Sequence, residues 1–155
     1  MGVEIERKFL VSGFGWADGS PGARMTQGYL SLDPDRTVRV RLAGEEAWLT
    51  IKGRSKGLAR AEFEYPIPAA EARELLALCT GSVIDKTRHR VEHAGHTWEI
   101  DVFHGDNDGL VVAEVEMEAE DTQVELPEWV GAEVSDDTRY LNSRLVQCPF
   151  KDWAC

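Results

Sequence analysis

The sequence predicts an α+β fold, mainly antiparallel β, in which eight strands close into a tunnel-like barrel. Its interior is polar and charged, and a few helices flank it. Three observations predict this. Apolar and charged residues alternate with period two in segment after segment, as strands with one buried face do. Short turn-forming stretches separate the segments, and the tight AGEE (43–46) and HAGH (93–96) suit antiparallel hairpins. The charges are sorted by sign from strand to strand, whereas a solvated surface intersperses them.

The elements follow in order. VEIERKFLV (3–11) puts Glu4, Glu6 and Lys8 on one face and Val3, Ile5, Phe9 and Val11 on the other, with Arg7 the exception. RMTQGYLSLD (24–33) is a weaker strand containing Tyr29. TVRVRLAG (37–44) sets Arg39 and Arg41 opposite Val38, Val40 and Leu42. AWLTIKGR (47–54) sets Thr50, Lys52 and Arg54 opposite Leu49 and Ile51. RAEFEYPI (60–67) sets Arg60, Glu62 and Glu64 opposite Phe63, Tyr65 and Ile67. After Pro68, AAEARELLALC (69–79) reads as a helix with Leu75, Leu76 and Cys79 within helical reach of one another.

DKTRHRVEH (85–93) then aligns Lys86, Arg88, Arg90 and Glu92. TWEIDVFHG (97–105) aligns Glu99 and Asp101 opposite Trp98, Ile100 and Val102. LVVAEVEMEAE (110–120) aligns Glu114, Glu116 and Glu118 opposite Ala113, Val115 and Met117. SDDTRYLNSRLVQC (135–148) reads as a second helix, with Ser135 as N-cap, Leu141 and Leu145 as its apolar stripe, and Pro149 ending it. No linker marks a boundary, so residues 1–155 read as a single domain.

Composition excludes several classes. The net charge of −11, from 17 basic and 28 acidic residues, argues against a nucleic-acid partner. No apolar run approaches about 18 residues, so no membrane span is expected. The absence of a basic-then-apolar leader suggests a cytoplasmic protein. Cys79, Cys148 and Cys155 read as reduced thiols. GRSKG (53–57) lacks the spacing of a phosphate-binding loop, and His89, His93 and His96 read as solvated. Trp48 and Trp98 read as packing on the outside of the barrel.

With the charged faces turned inward, the apolar faces need cover from helices and loops. Interior cations need anions, because a desolvated charge without a partner costs several kcal/mol. The carboxylates supply some, and are also hard oxygen ligands for Mg²⁺ or Mn²⁺. A polyphosphate, held by the cations and bridged to metals by its own oxygens, balances both sets.

These residues also form an ordered set of motifs. E-x-E-x-K (4–8) is followed by R-x-R (39–41), Lys52, E-x-E (62–64), K-x-R (86–88), EIDVF (99–103), E-x-E (114–116) and DTRYLN (137–142). The set resembles the CYTH family, the triphosphate tunnel metalloenzymes, over nearly the whole chain. The resemblance implies an eight-stranded tunnel, two metal sites and an inorganic or organic triphosphate as substrate. It implies substrate contacts from Lys8, Arg39, Arg41, Lys52, Lys86 and Arg88, with Arg139 near a tunnel mouth. Asp101, Glu114 and Glu116 match metal positions, Glu4 and Glu6 are linked to a second metal, and Glu62 belongs with them. A lysine–tyrosine pair in some members corresponds to Lys8 and Tyr29, and Lys86 joins the catalytic set. The base is a carboxylate such as Glu6 or Glu62, or a metal-bound hydroxide.

Inorganic tripolyphosphate is the favoured substrate, since no motif for reading a base or a thiazole is evident. The alternatives are a class IV adenylyl cyclase, a thiamine triphosphatase and a non-catalytic polyphosphate-binding module. A homodimer is left open.

Overall fold

The computed structural model of the protein describes residues 2–17 and 21–153. Nine strands form one sheet: β1 (Val3–Val11), β2 (Ala23–Ser31), β3 (Thr37–Ala43), β4 (Glu46–Lys52), β5 (Ala59–Pro68), β6 (Thr80–His93), β7 (His96–Phe103), β8 (Val111–Glu116) and β9 (Val130–Glu133). Their order is β5-β4-β3-β2-β6-β7-β8-β1-β9, and a β1–β5 pairing closes the first eight into a barrel. Every pairing is antiparallel.

β1 closes the barrel by dividing its length. Glu6–Leu10 pairs with β8, Val3–Ile5 pairs with β5, and β9 pairs at Phe9 and Val11. Closure pairs the two ends of the sheet over Ala59–Ala61, while Phe63–Pro68 of β5 is paired on one side only, with β4. The four-residue β9 is too short for an alternation signal, which is why the sequence did not reveal it. Arg7, the exception on the apolar face of β1, points outward and is bidentate to Glu133 of β9, at 2.8 and 3.0 Å.

Glu4, Lys8, Arg39, Lys52, Glu62, Lys86, Glu99 and Glu114 point inward, as expected. Their apolar neighbours point outward into two layers. Phe9, Trp98, Ile100, Ala113 and Val115 pack beneath Trp16 and Trp129. Val40 and Ala47 pack beneath α1 (Ala69–Leu76) through Ala72. The turn after α1 lies so close to β2 that a Cβ on Gly28 would come 2.8 Å from Cys79 Sγ. Trp98 is outside, fully buried. Trp48 is not: it shares the parity of Thr50 and Lys52 and lines the interior.

The inward rows change character at one end. Leu10, Tyr29, Ile84, Phe103 and Val112 have the inward parity but are apolar or aromatic, and they pack with Tyr140, Leu145 and Val146. The barrel is therefore plugged there by a small core beneath residues 138–146.

The segment that builds this plug is not the continuous helix expected over 135–148. A 3₁₀ turn (Thr138–Tyr140) is followed by extended backbone at Leu141 (φ −67°, ψ 134°) and then one α-turn, α2 (Asn142–Leu145). Ser135 does not cap a helix, because its hydroxyl is engaged with β1 and β9. It accepts from the Lys8 backbone N–H at 3.0 Å and donates to Glu133 at 2.6 Å. Asp137 caps instead, accepting from Arg139 N–H.

The thiol reading holds for Cys79, which is free, but not for Cys148, which carries a disulfide; Cys155 lies outside the described residues. No helix among the described residues is long and apolar enough to cross a membrane.

The outer layer supports the barrel wall. Trp98 contacts Phe9 and Trp129 at ring-centroid distances of 5.6 and 5.5 Å. Trp98→Ala is expected to lose about 3–5 kcal/mol in urea denaturation, the range for truncating a buried aromatic. A loss below about 1 kcal/mol contradicts this packing.

Candidate active site

The inward charges line one cavity of about 1140 Å³. Lys8, Arg39, Arg41, Lys52, Lys86 and Arg88 all reach it, as do Glu4, Glu6, Glu62, Glu114, Glu116 and Tyr29. Two expected residues stand apart. Arg139 is on the surface, bound to Asp137 at 2.7 Å and stacked 4.7 Å over the Trp153 ring, so it does not enter the cavity. Asp101 lies behind the lining, 1% exposed, with both oxygens occupied. Arg88 Nε donates to Oδ1 at 2.7 Å, while Arg88 Nη2 (2.9 Å) and Lys86 Nζ (2.8 Å) donate to Oδ2. Those bonds argue against metal ligation by Asp101 and make it the counter-ion of two cations.

Acids dominate one side. One oxygen each from Glu4, Glu62 and Glu116 lies within 4.8 Å of the others, close enough to ligate one ion. Their cationic neighbour Lys52 donates to Glu4 at 2.9 and 3.0 Å and approaches Glu62 at 3.5 Å. Burial disfavours ionisation of Glu4, but Lys52 and a hydrogen bond with Glu62 outweigh it, and its pKa falls. Glu62 moves the other way. Burial, the same hydrogen bond and the charge on Glu4 push it up to about 7. Two hydrogen-bonded carboxylates share a proton, and a divalent cation suits the same place. Burial, with Glu4 and Glu99 nearby, also raises Glu116.

Glu6 and Glu114 form a second acidic pair beside Lys8. Burial and the charges of Glu114 and Glu4 raise Glu6 well above the usual carboxylate range. Glu114 is held well below that range: burial opposes its charge, but Lys8, Arg88 and Lys86 prevail. Lys8 Nζ stands 3.6 Å from Glu114 and donates to the Tyr140 carbonyl at 3.2 Å.

Cations dominate the opposite side. Burial, with Arg39 and Arg88 nearby, pushes Arg41 down to about 10. Lys86 falls to about 7, chiefly through burial; Asp101 opposes the fall, and Arg88 and Arg41 add to it. Asp101 settles at about 2 despite burial, because Lys86 and Arg88 favour its charge. Arg39 Nη2 donates to Thr50 Oγ1 at 3.1 Å and to Glu64 at 3.4 Å, while its buried Nε has no partner.

The sequence reading put Arg60, Glu64 and Glu99 on the inward face but assigned them no role, and it missed Gln27 and Asn142. Arg60, Glu64 and Glu99 line the cavity, and parity with Glu62 and Asp101 was the available signal. Gln27 is buried on the inward parity of Tyr29. Asn142 comes from the plug, where no periodicity points to it.

The family model of the CYTH domain matches residues 2–145. The chain belongs to the CYTH domain family. It is 47% identical over 154 residues to an inorganic triphosphatase of Acetivibrio thermocellus, covering 99% of both chains. It is 38% identical over 148 residues to an inorganic triphosphatase of Nitrosomonas europaea, covering 92% of this chain and 96% of the relative. A crystal structure of an inorganic triphosphatase superposes with a TM-score of 0.66 at 35% identity, over 92% of this chain and 97% of that one. A Bacillus halodurans structure at 15% identity, with a TM-score of 0.60 over 83% of this chain and 96% of that one, shares the CYTH fold alone.

The acidic side of this CYTH cavity makes stability depend on pH. Glu62, Glu6 and Glu116 bind protons more tightly folded than unfolded, where a carboxylate titrates near 4.5. Their contribution is complete below that value and is lost as pH rises through the folded pKa, about 7 for Glu62. Lys86 has the opposite sense: its lowered pKa gives stability at high pH that is lost as pH falls toward about 7, so it does not act below that. The melting temperature in EDTA is therefore expected to fall between about pH 5 and 7, less so in Glu62→Gln. A melting temperature that rises across that window contradicts the assignment.

Proposed function

We propose that this chain is a metal-dependent triphosphate hydrolase whose preferred substrate is inorganic tripolyphosphate. The observation that carries the reading is the separation of charge in one cavity: Arg41, Lys86 and Arg88 on one side, and Glu4, Glu62 and Glu116 on the other. The relatives named inorganic triphosphatase support it. The net charge of −11 opposes a nucleic-acid partner.

In this reading the cations hold the phosphate chain. Arg offers a planar fork to phosphate oxygens and Lys a point charge. Lys8 on β1, Arg39 and Arg41 on β3, Lys52 on β4, and Lys86 and Arg88 on β6 stand on four walls, so a linear triphosphate touches more of them than a diphosphate does. A polyanion beside Lys86 draws a proton onto its amine, which makes Lys86 a full cation and a donor to the departing oxygen. Tyr29, 6% exposed, lines the cavity within the electrostatic reach of Lys8 and Arg41.

The acidic residues fit a divalent cation by donor type, spacing and shared proton, and we assign Glu4, Glu62 and Glu116 to it, with Glu114 at a second position. Mg²⁺ or Mn²⁺ bound there would neutralise charge on the phosphate oxygens. Glu6, whose proton affinity is raised, takes the proton of the attacking water. The water oxygen bonds to a terminal phosphorus as the anhydride P–O bond breaks. The bridging oxygen departs on diphosphate with the electron pair of the broken bond and takes its proton from Lys86, and the water oxygen stays on the orthophosphate.

One panel tests this: tripolyphosphate, diphosphate, ATP and thiamine triphosphate, each with Mg²⁺ or Mn²⁺, read by product identity. Tripolyphosphate should give diphosphate and orthophosphate with the highest kcat/KM. ATP should be at least about tenfold lower, a gap of about 1.4 kcal/mol. Glu116→Gln should lose turnover more than tripolyphosphate binding. Cyclic AMP from ATP would instead establish a cyclase, preferred thiamine triphosphate a thiamine triphosphatase, and tripolyphosphate returned intact a binding module.

A further inference from the structure

The plug that seals the barrel also reaches its buried lysines. Tyr140 O accepts from Lys8 Nζ at 3.2 Å, and Asn142 Oδ1 accepts from Lys86 Nζ at 2.9 Å. Asn142 Oδ1 also accepts from Gln27 Nε2 at 2.8 Å, and Gln27 Oε1 accepts from Arg41 Nε at 2.9 Å. A continuous line therefore runs from Arg41 through Gln27 and Asn142 to Lys86. It ends on Asp101, which Lys86 shares with Arg88. Gln27 is 0% exposed, so its amide is not held by solvent.

The chemistry of the line permits one orientation. Arg41 only donates, as does Lys86 once protonated beside a polyanion, so an amide oxygen must face each of them. Gln27 must then offer its NH₂ to Asn142. Lys86 spends two of its three N–H donors on Asp101 and Asn142, which leaves one. Arg41 spends Nε on Gln27, which leaves both Nη groups. A carboxylate at either amide position would hold its cation as firmly, but would cancel its charge. A neutral amide holds the cation and leaves the charge available.

We infer that Gln27 and Asn142 are positioning residues that fix Arg41 and Lys86 for a phosphate chain without neutralising them, Asn142 acting from the segment that plugs the barrel. The inference rests on the reading of the cavity as a tripolyphosphate site. It makes residues 138–146 part of the binding machinery as well as part of the core.

Two pairs of variants test it. Asn142→Asp keeps shape and every bond of the line but adds a charge, Gln27→Glu adds a charge and also loses the donor to Asn142 Oδ1, and Gln27→Met and Asn142→Leu remove the hydrogen bonds. Each is titrated with tripolyphosphate in EDTA by calorimetry and then assayed with Mg²⁺. The acidic variants should bind and show KM at least about tenfold weaker than wild type. They should be worse than the neutral variants, and Asn142→Asp should melt close to wild type. A purely structural role gives the reverse order, because the isosteric acids disturb packing least, and that order overturns the inference. Wild-type binding and KM in the acidic variants overturn it too, while leaving the hydrolase reading intact if wild type still turns over tripolyphosphate. A wild type that neither binds nor hydrolyses tripolyphosphate removes the reading and the inference together. If Gln27→Glu does not fold, Asn142→Asp decides alone.

Discussion

Charges enclosed in this barrel do not cancel where they sit, and most of the structure follows from that. On one side a single carboxylate, Asp101, serves both Lys86 and Arg88, while Arg41 has only a neutral amide at its Nε. On the other side Lys52 contacts Glu4 and Glu62, with Glu116 close by. Each side keeps a surplus, positive on one and negative on the other. The shifted proton affinities express that surplus: Glu62 retains a proton up to about 7, and Lys86 gives one up at about 7. Both sides relieve strain by moving toward neutrality. A polyanion and a divalent cation, entering together, restore the charged forms.

Such a cavity needs a wall that does not collapse. The hydrophobic driving force usually found inside a barrel is displaced to the outside, where Trp98, Ile100 and Val115 are fully buried under Trp16 and Trp129. α1 does the same for Val40 and Ala47. The interior keeps apolar packing only at the plugged end, around Tyr29, Ile84 and Phe103. The polar cavity and the apolar plug lie on the same inward rows, so Lys86 follows Ile84 by two residues and Asp101 precedes Phe103 by two. Charged groups are thereby fixed against a rigid core at one end.

Much of this was legible because a strand's period of two is strict. The alternation around Glu4, Arg39, Glu62, Lys86 and Glu114 declares which side chains share a face, and the sorting of sign declares that the face is not ordinary surface. The same rule, applied to Trp48, puts it inside with Thr50 and Lys52; treating a tryptophan as cover overrode the parity. What stayed hidden was not periodic. β9 has four residues, α2 has four, and Ser135 looked like a helix cap until its hydroxyl was seen bonded to β1 and β9. Asp101 and Glu114 are indistinguishable as carboxylates on neighbouring strands. Only the three-dimensional arrangement gives the first to Arg88 and Lys86 and leaves the second on the cavity surface. Arg139 matched by order in the sequence, yet its guanidinium is spent on Asp137 and Trp153.

If opposite surpluses define the cavity, its anion and its cation must assist each other. The direct measurement is Mg²⁺ affinity by calorimetry, with free Mg²⁺ buffered, in the absence and presence of a non-hydrolysable imido analogue of tripolyphosphate. Mutual neutralisation predicts that the analogue tightens Mg²⁺ binding by at least about tenfold, and that Mg²⁺ tightens the analogue by the same factor. Equal Mg²⁺ affinity with and without the analogue would show that the two sides act independently, and would contradict a cavity organised around a metal-bridged polyanion.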